Sequence, residues 1–317
     1  MPSLKYSIGV DLGGTTVKSG LVSSDGKIHE QFTLPSLGNE GPKVVIGQIK
    51  KAIHEVLQCV DGKSIEGIGV GAPGVVVKKG GIVKNPPNLS GWNEIPLGDE
   101  LHKVFRMNVE VENDANAAAI AEAKFGAGKK YPDFLFVIWG TGVGGGIISD
   151  GKIYRGPFGG AGEIGHISIN YNGAKCNCGA KGCVEAYIGQ KHLSRRTAKI
   201  LKNHPRSKIL QLVGGDLSKI EPLHISLAAD AGDKIARGIL VEAGTFLGVA
   251  VGAVMNTLDF RVSIIGGGIS AAGKYVFDAI TESAKVHVLK PLRKDIMVIP
   301  AVLGNSAGIL GAAGLLL

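Results

Sequence analysis

A chain of 317 residues is long enough for about two domains, each with a substantial core. Its composition, 44% hydrophobic and 20% charged, is that of a folded globular protein and excludes disordered or fibrous classes. The net charge of +8 comes from dispersed lysines with no long basic run. That argues against a nucleic-acid binder and for a solvated surface with mild attraction for anionic nucleotides.

The first predicted strand, 4–10, begins almost at the first residue and leaves no room for a signal peptide, so a cytoplasmic protein is expected. Strands follow at 17–22 and 27–33. A helix is predicted over 42–59, where Val45, Ile49, Ile53, Val56, Leu57 and Val60 recur at helical spacing. Another strand, 65–71, ends at Ala72-Pro73-Gly74. Asn113 stands where an N-cap belongs, ahead of the alanine-rich helix 114–125. Helical segments are predicted at 185–203 and 226–257. A β-branched strand at 261–265 runs into Gly266-Gly267-Gly268, a helix follows, and 305–316 closes the chain as a helix. Glu242, Asn256 and glycines interrupt the apolar stretch 239–258, so no membrane span is expected. The alternation of strands and helices defines an α/β protein, with a lobe boundary expected near 112. The small lobe is then 1–112, the large lobe 113–304, and the last helix, 305–317, is expected to pack back on the small lobe.

One unit occurs twice. Residues 14–28 read GTTVKSGLVSSDGKI and residues 140–153 read GTGVGGGIISDGKI. With one serine inserted, both follow the same pattern of Gly/Thr turn, alternating strand and Asp-Gly turn, and each is preceded by an apolar run. Glycine-rich turns expose consecutive backbone N–H groups that bind anions such as phosphate, so the repeat predicts a nucleotide gripped by two related lobes. The dinucleotide fingerprint is a poor alternative. Gly69, Gly71 and Gly74 match G-x-G-x-x-G, as do Gly140, Gly142 and Gly145, but neither match leads into a helix.

Two further segments carry chemistry. Glu112-Asn113-Asp114 lies at a strand end that opens a helix, where a carboxylate could take a proton from a substrate hydroxyl or simply cap the helix. Cys176, Cys178 and Cys183 form C-x-C-x₄-C with His166 ten residues upstream, the donor set of a closed, structural zinc site. The clustering indicates metal ligation in a reducing compartment more than disulfides. Cys59 reads as a small hydrophobe beside Val56, Leu57 and Val60.

These motifs together resemble the ROK sugar kinases of the actin/hexokinase-like ATPase superfamily. The resemblance runs through DLGGTT at 11–16, GAPG at 71–74, NPPNLSGW at 85–92 and ENDANAAA at 112–119. It continues through GTGVGGG at 140–146, GEIGH at 162–166, CNCGAKGCVE at 176–185 and IIGGG at 264–268. One departure is Asp259-Phe260 where the family has Asp-Pro, expected to alter only local strand entry. The resemblance implies a two-lobed fold with duplicated ribonuclease H-like lobes and a structural zinc loop. It also implies Mg²⁺ held through water by Asp11, with phosphate bound by Gly13, Gly14 and Thr15 in one turn and by Thr141 and Gly142 in the other. Gly266 and Gly267 would face the adenosine and Asp114 would be the base. Asn88, Asn113, Asp114, Glu163, His166 and Glu185 would meet the sugar, and His166, Cys176, Cys178 and Cys183 would hold zinc.

The implied reaction is ATP-dependent phosphorylation of a hexose at its 6-hydroxyl, with closure of the lobes excluding water. Glucose is the expected acceptor. Fructose, mannose, allose, N-acetylmannosamine and N-acetylglucosamine are the alternatives. A sugar-responsive ROK regulator is a second class, disfavoured by the ten residues ahead of Asp11. No nucleic-acid or membrane partner is expected, and the resemblance implies a homodimer or larger homo-oligomer.

Overall fold

In the computed structural model, which describes residues 4–317, the chain divides into two compact units. The first takes the chain up to Pro132 together with Gly146–Gly162 and Val302–Leu317. The second takes Asp133–Gly145 and Glu163–Ala301. Helix and loop beyond 112 thus belong with the first unit, past the boundary expected near that residue.

The first unit is built on a five-stranded sheet of β1 (Tyr6–Leu12), β2 (Thr16–Ser23), β3 (Ile28–Pro35), β4 (Ile65–Ala72) and, later in the chain, Val109–Asn113. Helix α1 (Pro42–Leu57) lies between β3 and β4 in sequence, and its buried stripe of Val45, Ile49, Ile53 and Val56 is the one anticipated from helical spacing. A hairpin and strand follow that the sequence reading did not resolve: β5 (Val75–Val77), β6 (Ile82–Lys84) and β7 (Glu94–Pro96), forming their own antiparallel sheet. Then come α2 (Leu97–Phe105), β8 (Val109–Asn113) and α3 (Asp114–Phe125). The strand order is β3-β2-β1-β4-β8, with β1, β2 and β3 antiparallel and β1, β4 and β8 parallel.

Strands β9 (Phe134–Trp139), β10 (Val143–Ser149) and β11 (Lys152–Tyr154) come next, and the second large sheet has the order β11-β10-β9-β12-β13 once β12 (Val262–Gly266) and β13 (Met297–Pro300) are counted. Strands β10 and β11 are antiparallel, and β9, β12 and β13 are parallel. The sequence repeat is therefore a repeat of topology: hairpin, central strand, then two parallel neighbours. Its second copy turns on Asp150 and Gly151, with φ of 51° and 70°, the left-handed pair that a two-residue hairpin demands. The inserted serine of the first copy lengthens its turn and shifts the β2–β3 register between Leu21 and Val22. Neither G-x-G-x-x-G match opens a helix; the first leads into β5 and the second lies across β10.

The helices of the second unit are α4 (Glu185–Ile188), α5 (Gln190–Leu201), α6 (Lys208–Leu212), α7 (Pro222–Asp230), α8 (Lys234–Leu258) and α9 (Lys274–His287). The predicted helix 226–257 is two helices, because Gly232 takes φ 88° and Asp233 starts α8 afresh, its carboxylate accepting the N–H groups of Ile235 and Ala236. The prediction over 185–203 is likewise split at Gly189. As one 25-residue helix, α8 is long and apolar enough to cross a membrane by length and composition alone, but 56% of its apolar window is buried inside the protein, as in a core helix. It packs against α9, and Gly244 and Gly248 sit close to the α9 backbone at Val276 and Ile280. At its C-terminus Asp259 is left-handed (φ 59°) and Arg261 binds its carbonyl and carboxylate; Phe260, standing where the family has proline, is buried.

The last helix, α10 (Ala307–Gly314), belongs to the first unit and packs on β1, β4 and α3. The approach is backbone to backbone. A Cβ at Gly9 would strike the carbonyl of Ile309, one at Gly69 the carbonyl of Ala312, and one at Gly311 the carbonyl of Ala117. Gly69→Ala is predicted to lower stability by about 1–3 kcal/mol in urea unfolding, since rigid carbonyls cannot make room. Gly47→Ala, on the open face of α1 with nothing near its Cβ position, is predicted to gain about 0.4–1 kcal/mol.

Candidate active site and metal centre

In the first unit, Asp11 sits near the end of β1, where the first turn of α10 meets it: a Cβ at Gly308 would fall 2.5 Å from the Asp11 carboxyl carbon. Burial pushes the Asp11 carboxyl up from its ordinary value, and Lys18, with Nζ 4.0 Å from Oδ2, pulls it partly back. Asp11 is followed at once by the turn 13–15. Its carbonyls are tied inward: Gly14 O accepts Ser36 Oγ (2.8 Å) and Thr15 O accepts Ser36 N–H (2.9 Å), while Gly13 N–H donates to Thr16 O (2.8 Å). In a trans peptide the N–H points opposite to its carbonyl, so tying Gly14 O inward turns the Thr15 N–H outward. Asn88 braces the same turn, with its Cβ 2.8 Å from where a Gly14 side chain would begin.

Asn113 caps α3: its Oδ1 accepts Ala115 N–H (2.9 Å) and Asn116 N–H (3.1 Å), and its Nδ2 donates to Gly74 O (2.9 Å). One amide hydrogen is left for a ligand. Asp114 follows as the first helical residue, exposed, with Oδ1 accepting Ala115 N–H at 2.8 Å. The capping duty therefore falls mainly on Asn113, and the carboxylate at Asp114 does not need to serve as the cap. Behind them Glu112 is buried (3% exposed) and accepts from Asn113 N–H, Asn116 Nδ2 and Arg155 Nε. Sequence reasoning missed Arg155, because its partner lies 43 residues away and no local pattern announces it.

In the second unit, the turn 140–142 repeats the logic of the first. Gln190 N–H donates to the carbonyls of Gly140 (3.2 Å) and Thr141 (3.1 Å), which turns the N–H groups of Thr141 and Gly142 to the other side. Glu185 holds the turn from beside it: its Oε2 accepts Val143 N–H at 2.8 Å and would collide with any side chain at Gly142. Gly267 (φ 92°) approaches the carbonyl of Trp139 so closely that a Cβ would strike it, which sets Gly266 and Gly267 beside the same turn. Gly165 likewise permits close approach to the carbonyl of Val143, bringing Glu163 and His166 to this end of the unit.

His166 and the cysteines converge as the spacing predicts. Their donor atoms all lie within 4.8 Å of one another, with His166 Nδ1 3.7 Å from Cys176 Sγ and Cys178 Sγ 3.7 Å from Cys183 Sγ. Zinc bonds of about 2.3 Å to sulfur imply tetrahedron edges of about 3.8 Å, so the donor set fits zinc. Gly179 (φ 94°) and Gly182 (φ 74°) make the tight reversals that wrap the loop around this point. The cysteines are free thiols. Burial raises the Cys183 thiol to about 12, with Cys178 and Cys176 beside it adding to the rise, and burial also raises Cys176. Cys178, exposed, is lowered by its backbone hydrogen bond at Ala180. The raised values favour neutral thiols at Cys176 and Cys183, whereas a cation bound among the sulfurs would favour the thiolates. Nδ1 faces the sulfurs, leaving His166 Nε2 directed toward Glu163, 4.0 Å from its Oε2.

The chain belongs to the ROK family, whose profile matches residues 7–317. It is 37% identical over 316 residues to the glucokinase of Thermotoga maritima, covering 100% of this chain and 98% of that one. It is 36% identical over 312 residues to the glucokinase of Streptomyces coelicolor, covering 98% and 96%. Among solved structures it resembles a ROK family glucokinase from Streptomyces griseus in complex with glucose and AMPPNP, with a TM-score of 0.84, 35% identity and coverage of 98% of this chain and 99% of that one.

Purified protein is predicted to carry about one zinc per chain, retained in Cys59→Ala and lost in Cys178→Ser by elemental analysis. Because ligation requires deprotonated thiols, retention is predicted to fall as pH is lowered, the sense expected when metal binding releases protons.

Proposed function

We propose that the protein is an ATP-dependent glucokinase that transfers the γ-phosphoryl group to the 6-hydroxyl of glucose. The observation that carries this reading is the pair of matching glycine turns. In each, inward-tied carbonyls aim peptide N–H groups outward, at Thr15 in one and at Thr141 and Gly142 in the other. Such N–H groups bind phosphate oxygens. Relatives named glucokinase over the full chain, and a similar structure holding glucose and AMPPNP, support the substrates.

Asp114 is assigned as the general base that accepts the 6-hydroxyl proton as that oxygen attacks phosphorus in line. Its exposure and the prior commitment of Asn113 to the cap support this. Asn88, Asn113, Glu163, His166 and Glu185 are assigned to the sugar. Glu185 has one oxygen engaged with Val143 N–H, and the other is assigned to a hydroxyl. Gly13, Gly14, Thr15, Thr141 and Gly142 are assigned to phosphate, and Gly266 and Gly267 to adenosine. Asp11 is assigned to Mg²⁺, a metal that keeps several waters and needs only one or two carboxylates besides phosphate. When bound, Mg²⁺ would neutralise phosphate charge. Zinc at His166, Cys176, Cys178 and Cys183 would be structural, since four protein donors close its coordination. The enzyme is further assigned to the cytoplasm, where the thiols stay reduced, as a homodimer or larger homo-oligomer without nucleic-acid or membrane partners.

A sugar panel with ATP and Mg²⁺, scored for ADP release and product identity, tests the reading. Glucose is predicted to give the highest catalytic efficiency and glucose 6-phosphate as product, while 6-deoxyglucose is not phosphorylated. A better rate with fructose or N-acetylmannosamine corrects the sugar alone. Sugar binding without turnover on any hexose returns the chain to the regulator class. Asp114→Asn is predicted to cut turnover by about 10²–10⁴-fold at little cost in stability or glucose affinity; near-normal turnover in the folded variant removes the base from Asp114.

A further inference from the structure

Glu112 is a carboxylate that the assigned chemistry does not use, yet it is buried at 3% exposure directly behind Asn113 and Asp114. It lies on β8 opposite Gly71, and its carboxylate accepts hydrogen bonds from the corner where β8 becomes α3 and from one arginine. Oε1 accepts Asn113 N–H and Asn116 Nδ2, both at 2.9 Å, and Oε2 accepts Arg155 Nε at 2.5 Å. Arg155 follows β11, and its own carbonyl accepts Ala161 N–H at 3.1 Å, closing the glycine-rich loop that leads on to Glu163.

Only the carboxylate of this pair is buried, with the Arg155 side chain 33% exposed, and desolvating even one partner offsets part of what the pair gains. The network also leaves Asn116 Oδ1 buried without a hydrogen-bond partner, because the Asn116 amide is turned to donate to Glu112. What the network specifies is direction: where the first turn of α3 begins, and so where the Asp114 carboxylate stands. The Nε of Arg155 approaches along one line, which a lysine ammonium would not reproduce.

We propose that Arg155 and Glu112 form a positioning couple that sets the start of α3, holding Asn113 and Asp114 where phosphoryl transfer needs them. The proposal rests on the kinase reading and names positioning residues, since neither is assigned to substrate. A displacement of about 1 Å at a reacting group is enough to cost roughly 10²-fold in rate.

The test compares Glu112→Gln/Arg155→Met, which removes both charges and avoids stranding one of them, with Arg155→Lys and with Asp114→Asn. For each, kcat and KM with glucose and ATP, the glucose Kd by calorimetry and the melting temperature are measured. The double variant is expected to lose about 10–100-fold in kcat, with glucose Kd weakened as Asn113 moves with the helix start and KM for ATP within about threefold of the native value. Arg155→Lys is expected to fall between it and the native enzyme. Native kcat in either variant overturns the proposal, whatever the melting temperature does. So does a loss of kcat that matches the fraction of unfolded protein, which is all that a merely structural pair would produce. If the double variant fails to fold, the kcat of Arg155→Lys decides. Full turnover in Asp114→Asn would instead overturn the kinase base, an outcome separate from these.

Discussion

The first unit depends on helix α10 lying directly on the backbone of β1 and β4. Gly9 and Gly69 remove the side chains that would hold helix and sheet apart, admitting the carbonyls of Ile309 and Ala312, and Gly311 does the same against the Ala117 carbonyl of α3. The contact fixes three things at once. It places the first turn of α10 against Asp11, through Gly308. It holds α3 against α10, through Gly311 and the Ala117 carbonyl. It also buries β1 on both sides, with α1 opposite, so that Ile8 and Val10 are fully enclosed. Buried Glu122 secures the arrangement by accepting the N–H groups of Val302 and Leu303 just ahead of α10, and of Ala127 at the far end of α3.

The second unit solves a similar problem with a cysteine-rich loop. Residues 163–185 contain no long helix or strand, so little regular hydrogen bonding holds Glu163, His166 and Glu185 in place. Backbone cross-links within the loop, such as Cys176 N–H to Ala180 O and Val184 N–H to Ile167 O, supply part of the constraint, and the proposed zinc would supply the rest. Glu185 then reaches from the end of this loop to Val143, and Gly165 lies against the same residue. In the proposed reading, the sugar-binding side chains and the second phosphate turn are thus one construction. In that reading, loss of the proposed zinc would reach both, although no cysteine is assigned to a substrate.

Legibility in the sequence followed the range of the interaction. The duplicated hairpin was readable because turn chemistry is local: Asp150-Gly151 needs two left-handed residues, and the Gly/Thr turns need small ones. The convergence of His166 with Cys176, Cys178 and Cys183 was readable because three of the four lie within eight residues. The α3 cap was readable from Asn113 alone. Contacts between distant segments were not. Arg155 looks like any surface arginine until β11 brings it to Glu112, and Glu122 looks like an ordinary helix residue until Val302 returns to it. The break between α7 and α8 was hidden by an apolar pattern that continues on both sides of Gly232. The three short strands β5, β6 and β7 carry too few residues for a period to show.

The repeated topology carries a mechanistic implication. Both glycine turns follow the central strand of their sheet, β1 or β9, and in both a residue from later in the chain, Ser36 or Gln190, ties the carbonyls back, so one local solution for presenting N–H groups is used twice. Amide hydrogen exchange with and without a non-hydrolysable ATP analogue and Mg²⁺ tests this most directly. The account predicts slowed exchange at Thr15, Thr141 and Gly142 together, with slowing at Gly266 and Gly267 from the adenosine. Protection at one turn alone, or at neither while the analogue is bound, would contradict it.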